Sequence, residues 1–151
     1  AHEMAGLLAA GHQLVLVTSG AVGLGRKMMT RHTGTPPENT LTAKQAAAAV
    51  GQPLLMGMYQ QLMGAYQQPV AQVLISGSDF SHRNRYLNVQ ATLEYLMNHG
   101  VLPVVNENDV VSTAALAEDG QTHAFSDNDH LSAILAAKLN ADTLVILTNV
   151  N

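Results

Sequence analysis

The sequence predicts an α/β fold, a three-layer α/β/α sandwich around a mainly parallel sheet, and three observations carry that prediction. Four short apolar runs, LVLVT at 14–18, VAQVLI at 70–75, VLPVV at 101–105 and LVILT at 144–148, are too short for helices and too uniformly apolar for strands with one wet face. Stretches of helical periodicity separate them, the pattern of parallel βαβ units. With 47% hydrophobic residues, a chain of 151 has enough apolar surface for one real core, so a single domain is expected.

Taken in order, AHEMAGLLAAGH reads as a helix already under way, with Met4, Leu7 and Leu8 on one face. The strand at 14–18 follows, then the glycine-rich SGAVGLG. A long helix is expected from about 41 to 66, capped by Thr40 or Thr42, with Ala46, Ala49, Val50, Leu54, Met58 and Leu62 recurring at helical spacing. Gly51, Pro53 and Gly57 should kink or split it. After the strand at 70–75, a helix at 85–100 places Leu87, Ala91, Leu93, Leu96 and Met97 on a core face and closes at Gly100. Pro103 argues that the strand at 101–105 lies near an edge or at a strand start, since proline donates nothing to a ladder. The polar segment 106–124 contains the turn signal Asp119-Gly120 and predicts a hairpin or flap. A helix at 127–141 has an acidic first turn, the sign favoured at the positive helix end, and the strand at 144–148 leads into TNVN. Both ends read as cuts through a larger domain.

Composition narrows the partners. Only 12% of residues are charged and the net charge is −4, so no basic field exists for nucleic acid or an anionic membrane. No apolar run approaches the roughly 20 residues that span a bilayer. The absence of cysteine excludes disulfides, thiolate zinc sites and a thiol nucleophile, and it agrees with a cytoplasmic location. The seven histidines include no pair spaced i, i+4, which leaves a zinc-binding helix unsupported.

Three polar clusters sit where strands end or helices begin. In TSGAVGLG at 18–25, glycines let backbone N–H groups approach a carboxylate or phosphate, although neither common nucleotide fingerprint fits; a turn in which glycine serves geometry alone is the competing reading. NEND at 106–109 and DND at 127–129 are the others, and Glu107, Asp109, Glu118, Asp119, Asp127 and Asp129 crowd six of the chain's 11 carboxylates into this region. Singly, these are a turn-forming loop and a helix cap. Together, at the carboxyl ends of parallel strands, they describe a crevice for a ligand bearing both ammonium and carboxylate groups. Arg26, Lys27, Arg31 and Lys44 form a basic group that suits an anionic substrate or, more simply, water.

VTSGAVGLGR, KQAAAAVGQPLLMGMY, QVLISGSDF, VLPVVNENDVV, FSDNDHLSAILA and LVILTNV resemble, in order and spacing, the amino acid kinase family over nearly the whole chain. NEND followed about twenty residues later by DNDxLSA is the most specific part. The resemblance implies transfer of the ATP γ-phosphoryl group, with magnesium, to the side-chain carboxylate of L-glutamate, the first step of proline biosynthesis. It implies that Ser19, Gly20 and Ala21 bind glutamate, that Asp109 and Asn128 complete the pocket with Asp109 on the α-ammonium, and that Asp129 is the carboxylate organising the transferring phosphate. Thr148 and Asn149 match the family's nucleotide-contacting pair, with Asn149 standing where Asp is usual and Ser126 where Gly is common. Family members are homo-oligomers and carry phosphate-contacting lysines on segments before and after the part matched here, so this polypeptide is expected to hold most of the glutamate pocket and to be inactive alone. A sibling kinase acting on another carboxylate and a non-catalytic amino-acid-binding module are the alternatives.

Overall fold

A computed structural model describes residues 1–111 and 127–147, with the backbone alone at Asp127. Nine elements follow in order: α1 (His2–Ala9), β1 (Leu16–Val17), α2 (Ala21–Thr33), α3 (Leu41–Gly64), β2 (Val70–Ile75), α4 (Gly77–Ser81), α5 (Arg83–Asn98), β3 (Leu102–Glu107) and α6 (Asp127–Lys138). The three strands form one parallel sheet in the order β1-β3-β2. Val105 and Ile75 face α5 and α6, forming a core with Leu93, Leu131 and Leu135. Asn106, the next residue along β3, reaches α3 on the opposite face, as the two-residue period of a strand requires. The predicted α/β/α layering and parallel sheet are therefore present.

β3 is the central strand and Pro103 is its second residue, so of the two positions expected for this proline the strand start holds and the edge does not. The register explains the tolerance. The Leu102 N–H donates to Pro69 on the β2 side, 2.9 Å, so the missing N–H of Pro103 faces the β1 side, where pairing starts only at Leu16↔Val104.

α3 runs unbroken for 24 residues, neither split nor ended by Pro53. Pro53 and Ala49 are both on the wet face, where water can take the carbonyl that loses its helical donor. Thr40 caps the helix, its Oγ1 accepting from the Ala43 N–H at 3.2 Å. The buried face is Ala47, Ala48, Gly51, Gln52, Leu55, Met56 and Met63, while Ala46, Ala49, Val50, Met58 and Leu62 are exposed. The predicted face was turned because α2, an element the sequence reading did not foresee, covers the other side. A Cβ on Gly51 would collide with the Ala21 carbonyl, and one on Gly25 with the Ala47 carbonyl. Glycines that look like helix breakers in isolation are what let these two helices touch backbone to backbone.

α5 also differs in detail, with Leu93 fully buried but Leu87 and Ala91 exposed. Residues 144–147 form no strand and are exposed, Val145 at 71% and Leu147 at 90%; among the described residues no strand pairs with this run to supply the ladder that a strand needs. The expected hairpin at Asp119-Gly120 and Thr148 at the predicted strand's end lie outside the described residues.

Candidate functional site

Three parallel strands deliver their following loops to one end of the sheet, and backbone bonds tie those loops together. The Thr18 N–H donates to the Val105 carbonyl at 2.9 Å, and the Asn108 N–H donates to the Ile75 carbonyl at 2.8 Å. Ser19–Ala21, Ser76–Asp79 and Asn108–Asp109 thus leave the sheet side by side. This is the crevice position at which α/β sheets bind ligands.

The β1 loop turns into α2 through Gly20, whose φ of 107° lies in the left-handed region that glycine adopts without strain. Gly20 is the N-cap of a 13-residue helix, and no side chain caps it. Glycine brings no side-chain cap of its own to the first-turn amides of α2, which lie at the positive end of the helix dipole. Ser19 and Gly20 are exposed and Ala21 is buried, an arrangement that presents backbone N–H groups over a closed floor.

Asp109 follows β3 and is half-buried. Asn106, by contrast, is 2% exposed and its Nδ2 donates to Gln52 Oε1 at 2.9 Å; it belongs to the floor. Asn128 and Asp129 stand in the first turn of α6, which packs on β1 and β3, and both are half-buried. The Asn128 Oδ1 atom is buried and finds no hydrogen-bond partner among the described residues. A buried carbonyl oxygen without a donor costs about 1–3 kcal/mol, and a ligand N–H would remove that cost. Thr148, Asn149 and Ser126 lie outside the described residues.

The loop after β2 was not foreseen as part of this end of the sheet. Ser76 donates to Asp79 Oδ2 through both its N–H and its hydroxyl, each at 2.7 Å, and Arg85 approaches Asp79 Oδ1 at 3.5 Å. The Ser76 N–H is the main reason that the Asp79 carboxyl lies below its ordinary value of 3.8, its hydroxyl and Arg85 adding to this while partial burial opposes it. The signal was legible in S-x-x-D before a helix, a capping box with Asp at the third position. In the basic group, Arg26 donates to the Glu38 carbonyl at 3.2 Å and ties down the α2–α3 connection, and Lys27, Arg31 and Lys44 are exposed. Among the described residues, no group of three or more His, Cys, Asp or Glu converges as a metal site, and no helix is long and apolar enough to cross a membrane.

Comparison with known proteins bears on what this crevice holds. The pattern of the amino acid kinase family matches residues 1–151. The chain belongs to the amino acid kinase family. Among its curated relatives, "Glutamate 5-kinase" of Synechococcus sp. (strain CC9605) is 48% identical over 147 residues, covering 97% of this chain and 38% of that protein. "Glutamate 5-kinase" of Gloeobacter violaceus is 48% identical over 150 residues, 99% of this chain and 38% of that one. "Glutamate 5-kinase 1" of Bacillus subtilis is 43% identical over 143 residues, 94% and 36% respectively. The chain thus spans less than two fifths of the length of these relatives.

Proposed function

We propose that the chain is the amino-acid-binding part of a glutamate 5-kinase, which transfers the γ-phosphoryl group of ATP to the side-chain carboxylate of L-glutamate and yields L-glutamyl 5-phosphate and ADP. The observation that carries the reading is the buried Asn128 Oδ1, without a partner among the described residues, in a chain whose relatives bear that name. An acceptor of this kind suits an ammonium, and Asp109 supplies the negative charge beside which an ammonium rests. The uncapped amides at Gly20 and Ala21, with Ser19, suit a carboxylate.

The chemistry asks little more of this part of the protein. A glutamate carboxylate, with an ordinary pKa of about 4.3, is already an anionic nucleophile at neutral pH, so no general base is required. Positioning and charge stabilisation do the work of phosphoryl transfer. Asp129 is the carboxylate proposed to orient the phosphate-binding groups. Magnesium enters with the nucleotide, since it characteristically takes one or two protein carboxylates together with phosphate oxygens, and Asp129 fits that part. Thr148 and Asn149 are the proposed nucleotide contacts. A cytoplasmic, homo-oligomeric enzyme of proline biosynthesis goes with this reading.

ADP release by the full-length protein tests it, with L-glutamate, L-aspartate and N-acetyl-L-glutamate as acceptors. L-Glutamate should be strongly preferred, N-acetyl-L-glutamate should fail for want of a free ammonium, and Asp109→Asn should raise the KM for glutamate about tenfold or more, the value of a charge-assisted bond. Preference for the acetylated acceptor, or an Asp109→Asn protein with ordinary KM, would overturn the assignment. The 151-residue chain by itself is expected to show no glutamate-dependent turnover.

A further inference from the structure

α3 supplies none of the proposed ligands, yet two polar bridges join it to the strand ends that do. Gln52 and Tyr59 are seven residues apart, two helical turns, and so share a face. Gln52 accepts from Asn106 at the end of β3, 2.9 Å, and donates to Gln72 of β2 at 3.4 Å. The Tyr59 hydroxyl lies 2.7 Å from Thr18 Oγ1 just beyond β1, and Thr18 Oγ1 donates to the Ser19 carbonyl at 3.4 Å. Either hydroxyl can donate across the 2.7 Å contact; when Thr18 turns its one proton to the Ser19 carbonyl, Tyr59 is the donor to Thr18.

We propose that Tyr59 is a positioning residue of the glutamate site, setting through Thr18 the orientation of the Ser19–Gly20 peptide. The inference rests on the functional reading given above. The Ser19 carbonyl and the Gly20 N–H belong to one planar trans peptide and point in opposite directions. Holding the carbonyl toward Thr18 therefore aims the amide away from it. Gly20 has a φ of 107°, and with no Cβ it resists rotation less than any other residue would. Gly20, the N-cap of α2, has no side chain with which to cap the helix itself. Thr18 is 8% exposed, so the relay is shielded from competing water, and Gln52 secures the neighbouring β3 end from the same helix face.

Tyr59→Phe in the full-length enzyme removes one hydroxyl and keeps the ring in place. The KM for glutamate should rise about three- to tenfold, the loss of one hydrogen bond, while the KM for ATP, kcat and the melting temperature stay near wild type. Thr18→Val should reproduce the effect, serving also where Tyr59→Phe does not fold, and the double variant should be no worse than either single one, since all three break one relay. A glutamate KM within twofold of wild type in the variants overturns the inference while leaving the kinase reading intact. Parallel rises in both KM values with a lowered melting temperature also overturn it, by showing general loosening. A wild-type enzyme without glutamate turnover removes the functional reading and this inference with it.

Discussion

Asn128 presents the sharpest contradiction between stability and function in the molecule. Its buried Oδ1 has no donor among the described residues, an arrangement that costs stability unless a ligand supplies one. Asn128→Ala is therefore expected to weaken glutamate binding about tenfold or more in calorimetric titration while leaving the melting temperature unchanged or higher. A destabilised variant that still binds glutamate would show the side chain to be structural. Asp79 behaves in the opposite way, stabilising through its charge. With its folded pKa below the ordinary 3.8, its contribution is present above that value and lost as pH falls through 3.8 and then through the lowered folded value. The melting temperature of wild type should exceed that of Asp79→Asn near neutrality, and the gap should close in acid; a gap independent of pH would show that charge is not the cause. At this scale the sequence carried much: Asp109, Asn128 and the Gly20 turn were legible from residue type and position, whereas the partners of Asn106 and Thr18 were not, because Gln52 and Tyr59 are about 50 and 40 residues away in the chain.

Between elements, the α2–α3 contact decides more than any helix propensity. Gly51 and Gly57 both sit in α3, yet Gly51 faces the Ala21 carbonyl and Gly25 N while nothing lies within 4 Å of a Cβ built on Gly57. Alanine gains about 1 kcal/mol over glycine in a helix, and overpacking costs about 1–3 kcal/mol. Since backbone cannot swing aside as a side chain can, the second effect should win at Gly51. Gly51→Ala is expected to lose on the order of 2 kcal/mol in chemical denaturation, and Gly57→Ala to gain up to about 1 kcal/mol; equal behaviour of the two would contradict the packing. Periodicity recognised α3, β2 and α5 but turned α3 by one position. Its apolar residues occur on more than one side, and only the location of α2 selects which side is covered.

For the whole molecule, the apolar runs and the helical stretches between them sufficed to predict the α/β class and the parallel sheet, because the periods of hydrophobicity are local properties of the chain. The positions of the polar clusters at strand ends likewise pointed to one crevice, since parallel strands must all open toward the same end. Strand order was another matter. Pro103 left an edge and a strand start both open, and it stands at the start of a central strand, because what proline forbids depends on whether a neighbour stands at that one level. The run at 144–147 had strand composition but pairs with no strand among the described residues and is exposed. The sequence by itself thus determined fold class, most element positions and the gathering of polar residues at strand ends and helix starts. Only the tertiary structure decided strand order, the covered face of α3 and the Tyr59–Thr18 relay beneath the ligand loop, since each is set by contacts between segments far apart in the chain.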